Sequence, residues 1–152
     1  MQLTPPTCRR QRGFTLLEVL VALIVLSIGL LGLSGLQTTG LRNNHSAFLR
    51  SQATLVMGDI IDRMRANRPG ATGGHYNISY SSTPGHVTCV GSCTTQQVAT
   101  IDVELWRAYV ERLPAGEGEV SVTAAGLAEV KVRWNDARDP TNPLELVTRV
   151  QL

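Results

Sequence analysis

Four side chains that lie close together in the sequence could in principle bind a transition metal. They are His75, His86, Cys89 and Cys93, and imidazole and thiolate groups are the ligands that zinc prefers. Their spacing matches no familiar zinc pattern, and nothing nearby should lower a thiol pKa for redox chemistry. In an exported chain, Cys89 and Cys93 are predicted to form a disulfide that fixes a local turn. We therefore predict no metal site and no cofactor.

Sequence motifs that carry catalysis are missing. There is no phosphate-binding loop, no His-Glu-x-x-His and no Gly-x-Ser-x-Gly. We expect a protein that is not an enzyme.

Arg63, Arg65 and Arg68 form a basic cluster. Such a cluster could contact DNA, or it could interact with the negative end of a helix dipole. Asp59 and Asp62 lie beside it and weaken the first interpretation. The formal net charge of +2 is partly due to arginines near the N-terminus, so we do not predict nucleic-acid binding.

The residue with the most unusual surroundings is Glu18, the single charge within residues 14–36. Leu and Ile dominate this run and no Pro interrupts it. As a helix rising about 1.5 Å per residue it would extend roughly 35 Å, enough to cross a bilayer. An ionisable group there is costly and usually has a partner.

Three arginines, Arg9, Arg10 and Arg12, precede the apolar run. A basic flank predicts that the N-terminus lies in the cytoplasm and that residues 37–152 lie outside. A secretory signal peptide is the alternative, but its apolar region is usually shorter and ends in a small-residue cleavage site.

These residues resemble the signal of the type IV prepilin family, in which a short basic leader ends in Gly before Phe-Thr-Leu-Leu-Glu and an apolar helix. The matching stretch is Arg12-Gly13-Phe14-Thr15-Leu16-Leu17-Glu18-Val19-Leu20. The resemblance implies cleavage between Gly13 and Phe14 by a prepilin peptidase, N-methylation of Phe14, and a role for Glu18 in filament assembly.

Physical chemistry supports that role for Glu18. Cleavage would free an amine about one helical turn before Glu18, and a positive amine offsets the cost of a carboxylate in hydrocarbon. If the amine belongs to a neighbouring subunit, the charge pair sets the axial register between subunits.

The longer run, continuing to Gln37, is most similar to the minor pilins called type IV pilus modification proteins. This similarity implies a subunit that primes or modifies pilus assembly in the tip complex and moves from the inner membrane to the pilus. The implied partners are prepilin peptidase, other minor and major pilins through the N-terminal helix, and a candidate tip adhesin.

Two other functions remain open. A minor pseudopilin of a type II secretion system shares the signal and the fold. A membrane-tethered enzyme, or a DNA-binding module for DNA uptake, belongs to a different class. Some secretion pseudopilins bind calcium in a sheet loop comparable to the one predicted around Asp136 and Asp139, although such carboxylates also cap backbone amides in turns.

Gly29, Gly32 and Gly35 recur every three residues in the apolar run. Small residues let membrane helices pack closely, but each Gly also lowers helix stability by about 1 kcal/mol. Pilin helices can locally unwind in filaments, and many major pilins carry Pro where Gly35 stands. Close packing and local melting are both consistent with the sequence.

The fold class predicted is α+β and pilin-like, with a leader at 1–13, a membrane and filament-assembly helix at 14–36, and a head at 37–152. The long helix is predicted to continue to about Asn67, where Pro69-Gly70 stops it. Its apolar positions in the head are Leu41, Phe48, Leu49, Leu55, Val56, Ile60 and Met64.

The rest of the head is predicted to hold a Gly- and Ser-rich loop at 70–95, a second helix and a three- to four-stranded antiparallel sheet. The loop contains a short strand at 76–80. The helix spans 95–113, capped by Thr94 or Thr95. Strands at 119–123, 129–135 and 144–152 follow, with a loop at 135–143. The residues expected on the helix's apolar face are Val98, Ile101, Leu105, Tyr109 and Val110, and those expected in the sheet's core are Val120, Val122, Val130, Val132 and Trp134.

Overall fold

The computed structural model describes residues 13–136 and 139–152. Three helices precede three strands: α1 (Leu16–Ala66), α2 (Arg68–Thr72), α3 (Thr95–Val110), β1 (Glu117–Val122), β2 (Leu127–Asp136) and β3 (Asp139–Gln151). This is the predicted α+β pilin-like arrangement. The chain divides into two units, Met1–Leu41 and Arg42–Leu152. The predictions for Arg9, Arg10 and Arg12 lie outside the described residues.

Helix α1 confirms the prediction of one long helix. It contains no Pro, and Gly29, Gly32 and Gly35 all lie within it without a break. Every residue from 13 to 45 is exposed. The head contains all the buried residues of α1, so within the described chain only this later part of the helix contributes to a core.

Helix α1 ends at Ala66, close to the predicted end at about Asn67, but Pro69-Gly70 does not stop it, which is a correction. Asn67 leaves helical geometry with φ −119° and ψ 53°, and Pro69 lies in the first turn of α2. Pro is tolerated there because the first turn has N–H groups with no helical partner in any case. The Asn67 Nδ2 atom donates to the Thr95 carbonyl at 2.7 Å, which ties this break to the start of α3.

The buried face of α1 was only partly predicted. Leu41, Phe48 and Leu55 are exposed, although they were expected to be apolar contacts. The side chains that lie in the core follow a tighter helical spacing and include a small one: Leu49, Ala53, Met57, Ile60, Ile61 and Met64. The prediction includes only large apolar side chains, whereas a closely packed helix face also needs small side chains such as that of Ala53.

Helix α3 begins where predicted and ends three residues early. Thr94 caps it: its hydroxyl accepts from the Gln97 backbone at 3.2 Å, and the Gln97 side chain accepts from the Thr94 backbone at 2.9 Å. The predicted apolar face was only partly right: Val110 is buried, but Leu105 and Tyr109 are exposed. The buried positions are Ala99, Val103, Trp106, Arg107 and Val110.

Trp106 decides the orientation of α3. Its ring is fully buried, and its Nε1 atom donates to the Val56 carbonyl of α1 at 3.0 Å. The N–H group of a buried indole usually has such an acceptor. Arg107 is also buried, and its Nη2 atom donates to the carbonyls of Ser79 and Ser82, both at 2.9 Å, so it braces the preceding loop. Burial lowers the Arg107 pKa.

The sheet is a three-stranded antiparallel meander in the order β1-β2-β3. Val120, Val130 and Val132 are buried as predicted, and so are Val122 and Trp134. The predicted strand at 76–80 is absent from the described structure; only a single bridge pairs Ile78 with Val120. Gly126, with φ 82°, makes the β1–β2 turn, a conformation that favours Gly.

The predicted loop at 135–143 is also wrong. Strand β2 continues to Asp136, β3 starts at Asp139, and the register shifts between Trp134 and Asp136. The prediction took Pro140 and Pro143 as loop residues. Both lie on an edge strand of the described sheet, where a missing N–H is tolerated.

Candidate functional site

The start of α1 presents the predicted processing residues. Gly13, Phe14 and Thr15 precede the helix, and the Phe14 side chain is 82% exposed. Thr15 acts as a cap, because its carbonyl and its hydroxyl accept from the Glu18 N–H at 3.1 and 3.3 Å. The two residues that flank the predicted cleavage site are therefore accessible and lie outside the helix.

Glu18 lies in the first turn of α1, where the helix dipole favours a negative charge. Its neighbours on the helix surface form a shallow apolar groove lined by Phe14, Val19, Ala22, Leu23 and Leu26. Across residues 13–136 and 139–152, no basic side chain forms an ion pair with Glu18. A carboxylate in such surroundings needs a positive partner once water is removed.

The rest of the N-terminal unit is largely apolar, and three of its hydroxyl groups bond to their own helix. The hydroxyls of Ser27, Thr38 and Thr39 each donate to the carbonyl four residues earlier, at 2.7, 3.0 and 3.1 Å. Among the described residues, α1 is the one helix long and apolar enough to cross a membrane. Its exposed Val, Leu and Ile side chains suit lipid or the apolar helices of other subunits.

Gly29, Gly32 and Gly35 have open space around them. A Cβ built at any of these positions would meet no atom within 4 Å, apart from the helix's own nearby backbone. Among the described residues, no contact therefore requires Gly at these three positions.

Two family models match the chain in succession. The prokaryotic N-terminal methylation motif matches residues 8–34, and the family described as type IV pilin Tt1218 matches residues 35–104. The chain is a type IV prepilin. No curated protein and no solved structure matches it significantly.

Membership of this family accounts for the exposed apolar helix. The pilin is anchored in the inner membrane by α1 and is incorporated into the pilus as a structural subunit. It is processed by prepilin peptidase and interacts with other pilins.

The part of the head matched by the pilin family contains a polar cluster that the sequence analysis missed. Asp102 accepts from Arg63 Nη1 at 3.0 Å and from the Tyr76 hydroxyl at 2.6 Å. The Asn67 Nδ2 atom contacts the same hydroxyl at 3.2 Å. Burial, reinforced by the hydrogen bond to Asp102, raises the Tyr76 pKa. The cluster joins α1, α3 and the segment after α2.

The ion pairs in and beside this cluster show whether the basic residues of α1 are available for DNA contact. Arg63 pairs with Asp59 at 2.8 Å as well as with Asp102, and Arg65 pairs with Asp62 at 3.1 Å. Two of the three arginines considered for DNA contact are therefore neutralised locally by acidic side chains.

The loop before α3 contains the predicted disulfide. Cys89 and Cys93 are bonded, with their Cα atoms 5.8 Å apart, so neither sulfur is a free thiolate in this structure. Gly91 has φ 91°, and Val90 at the tip is fully exposed. Nearby, the His86 Nδ1 atom contacts Glu104 at 2.8 Å.

No group of three or more potential metal ligands occurs among the described residues. Of the two carboxylates considered for calcium, Asp136 accepts from the Ser46 hydroxyl at 2.8 Å. The side chain of Asp139 lies outside the described part of the structure.

Proposed function

We propose that this pilin is a minor, non-enzymatic subunit of the pilus tip complex that primes or modifies pilus assembly, as a type IV pilus modification protein does. The observation that carries the proposal is Glu18, an acidic side chain without an ion-pair partner in the described chain on an otherwise apolar, exposed helix. Its need for a positive partner is met by lateral packing against another pilin. The similarity of residues 14–37 to minor pilins, with Gly35 where many major pilins have Pro, supports the minor role.

The mechanism begins with removal of residues 1–13. Cleavage between Gly13 and Phe14 yields a new amine, which is then N-methylated. The amine remains basic after methylation, so it can pair with the Glu18 carboxylate of a neighbouring subunit. That pairing sets how far one helix slides along the next, while residues 14–36 pack in the filament core and 37–152 form the head.

The three glycines have one of two roles in this assembly. Gly29, Gly32 and Gly35 either let a neighbouring helix approach closely or let the segment unwind inside the filament. Substitution by Ala separates the two, because Ala keeps a small side chain but strengthens the helix. Unchanged incorporation of a triple Ala variant into pili favours packing, and reduced incorporation favours melting.

Mass spectrometry of the protein purified from its own host tests the processing step. The expected mature N-terminus is N-methylated Phe14. An intact Met1 in cells with an active prepilin peptidase would contradict the proposal.

A charge-removal experiment tests the role of Glu18. Glu18→Ala should leave the protein in the inner membrane but reduce its amount in sheared pili by at least about 100-fold, since a charge pair in a low-dielectric filament contributes several kcal/mol. Asp62→Ala is the matched control, because Asp62 is an acidic residue of the same helix with a 75% exposed side chain. Equal incorporation of both variants would refute the assignment.

The minor role needs its own measurement. In sheared pili, the ratio of this protein to the most abundant pilin should be far below one, and deletion of its gene should reduce the number of surface pili. A ratio near one would identify a major subunit instead. Presence in a secretion pseudopilus, and not in pili, would support the type II secretion alternative.

A further inference from the structure

The two outer strands of the sheet differ in how their outward backbone groups are used. On β1, Val120 exchanges both of its backbone hydrogen bonds with Ile78, each at 2.9 Å. The Val122 N–H donates to the side-chain oxygen of Asn77 at 2.7 Å. The segment after α2 therefore occupies the β1 edge, whereas among the described residues no strand pairs with the outer side of β3.

The contact at Val120 fixes which backbone groups of β3 point outward. The N–H and C=O of Val120 face away from β2, and in an antiparallel sheet these directions alternate along each strand. Val130, opposite Val120, therefore bonds to Thr148 of β3. Val147 and Arg149, on either side of Thr148, point their N–H and C=O groups away from the sheet.

The same alternation turns the backbone groups of Glu145 outward. From Leu144 to Gln151 the pairing with β2 has no bulge, and no Pro interrupts it. A regular row of outward N–H and C=O groups is satisfied by the backbone of another extended strand. The occupant that suits this edge is therefore a β-strand.

A second copy of this chain does not fit as the source of that strand, because both copies are anchored in one membrane by α1. In the head, Ser46 of α1 donates to Asp136 at the end of β2, at 2.8 Å. Thr72, at the end of α2, lies beside Gly126, just before β2 begins. The helix therefore runs along β2, and antiparallel pairing of two β3 strands would turn the two α1 helices in opposite directions.

The other ways of joining two copies also fail. Parallel pairing of two β3 edges would turn one head over, so that the charged side chains of one strand lie beside the apolar side chains of the other. Pairing of β3 with β1 of a second copy meets an edge whose Val120 and Val122 already have partners. The strand that fits therefore comes from a different protein.

The two faces of β3 specify which side chains the partner strand carries. On the core face, Leu146 and Val150 are only partly buried at the edge of the hydrophobic core, so apolar side chains of the partner would cover them. The opposite face carries Glu145, Val147 and Arg149, which are exposed. The partner strand therefore alternates between apolar and polar residues.

The charges on the exposed face define the polar positions further. The Arg149 side chain is 70% exposed, and its ion-pair partner Glu129 also pairs with Lys131. Glu145 accepts a hydrogen bond from the Tyr80 hydroxyl and lies four residues before Arg149. Opposite charges in directly facing positions stabilise a sheet, and like charges destabilise it. The fitting strand thus has an acidic side chain facing Arg149 and a basic one facing Glu145.

We propose that the outer edge of β3 binds an extended segment of a different protein as a fourth, antiparallel strand, with an acidic side chain facing Arg149 and a basic one facing Glu145. Antiparallel pairing is the more stable of the two directions per residue. The contact is separate from the packing of N-terminal helices in the proposed function and does not depend on Glu18, so either can fail without the other.

A pair of labelled peptides tests the chemistry of this edge. The probe Ser-Val-Glu-Val-Thr-Val-Lys-Val, antiparallel to β3, places its Glu opposite Arg149 and its Lys opposite Glu145. The control peptide has Glu and Lys exchanged and is otherwise the same. Fluorescence polarisation with the full-length protein in detergent should show at least about tenfold tighter binding of the probe, because the exchange turns two opposite-charge contacts into like-charge contacts. Equal binding of the two peptides, or binding of neither, would overturn the proposal.

Exchange of the two charges in the protein controls for folding. The double variant Glu145→Arg with Arg149→Glu should reverse the preference, so that the control peptide binds more tightly than the probe. A misfolded head would lose both peptides and would not reverse the preference. A double variant that still prefers the probe would contradict the proposed register.

Two variants of Val147 test whether the backbone of β3 forms the contact. Val147→Pro removes an outward N–H that the pairing with β2 does not use, and Pro is tolerated on an edge strand. Val147→Ala keeps this N–H, and because Val147 is 44% exposed, neither change affects the core. Val147→Pro should bind the probe at least about tenfold less tightly than Val147→Ala, with the same urea midpoint for both heads. Equal binding by the two variants would show that the strand pairing is wrong.

Hydrogen–deuterium exchange tests whether a natural partner occupies the edge. The N–H groups of Glu145, Val147 and Arg149 should exchange rapidly in the purified protein and slowly in native membranes or in pili. The Thr148 N–H, which faces β2, should exchange slowly in every sample and serves as the internal control. Rapid exchange of the three outward groups in both membranes and pili would show that no partner binds there. Slow exchange in the purified protein alone would indicate self-association, and it would also contradict the proposal.

Discussion

The two units of this pilin differ in whether their acidic side chains are paired within the described chain. In the N-terminal unit, the Glu18 carboxylate has no ion-pair partner among the described residues, and the apolar surface around it is exposed. In the head, Asp102 is satisfied by Arg63 and Tyr76 within the same chain. The difference shows where each unit finds its stability: the head forms its own core, and the helix before it requires lipid or other subunits.

Truncation of a large side chain should show this contrast most strongly. Trp106→Ala should destabilise the head by about 3–5 kcal/mol, because the buried ring leaves a cavity and the Val56 carbonyl loses its donor. Leu26→Ala removes a side chain that is 58% exposed and should leave the unfolding midpoint of the head unchanged. Fluorescence of Trp134 during denaturation in detergent measures both. A large shift for Leu26→Ala would show that the head depends on the N-terminal unit.

Removal of one carboxylate within the head should have the next largest effect. Asp102→Ala should cost about 2 kcal/mol, since it leaves Tyr76 and Arg63 without their shared acceptor. The control is Asp62→Ala, in an exposed pair with Arg65, which should change stability by less than about 0.5 kcal/mol. Urea unfolding of each variant measures the change in the free energy of unfolding. Equal changes for the two variants would show that the polar cluster contributes no more to stability than the exposed ion pair.

High pH should weaken the same cluster. Burial and Asp102 raise the folded-state pKa of Tyr76 above its ordinary value near 10. The stability linked to this proton is therefore fully present below pH 10 and is lost as pH rises above it. The melting temperature should fall over that range, and less steeply in Tyr76→Phe. Tyr109→Phe should retain the steep fall, and an identical slope in Tyr76→Phe would contradict the assignment.

The smallest effect is expected from the exposed charges of the sheet. Hydrogen bonds from Arg149 and Lys131 lower the pKa of Glu129 below its ordinary value of 4.5. The stability linked to the ionised Glu129 carboxylate is fully present above pH 4.5 and is lost as the pH falls through the lowered pKa. The melting temperature should therefore show a slight, salt-sensitive decrease in acid that is reduced in Glu129→Gln. No dependence on salt would indicate that other groups cause it.

Periodicity and local motifs predicted most of the helices and strands and the buried face of the sheet, but they did not predict the buried faces of the helices. The span of α1, the Thr94 cap and the alternating strand residues Val130, Val132 and Trp134 follow from short-range rules. The face of α3 does not, because it depends on where Trp106 finds an acceptor in α1. The Pro-containing part of β3 was also missed, since only the tertiary structure reveals that this strand lies at an edge.

For the candidate functional residues, too, some could be predicted from the sequence and others could not. Gly13, Phe14 and Glu18 could be named from the sequence because their signal is contiguous. Asp102, Tyr76 and Asn67 could not, because they meet only after α3 folds back on α1. Their types are common in surface loops and helices, and their spacing carries no motif.

The hydroxyls of Ser27, Thr38 and Thr39 have a consequence for the life cycle of the subunit. Each one is bonded to its own helix backbone, so it requires no new acceptor when the helix is extracted from lipid or returned to it. Transfer of the helix between bilayer and fibre therefore leaves these three hydrogen bonds in place, whereas Glu18 has to find its partner in the new surroundings.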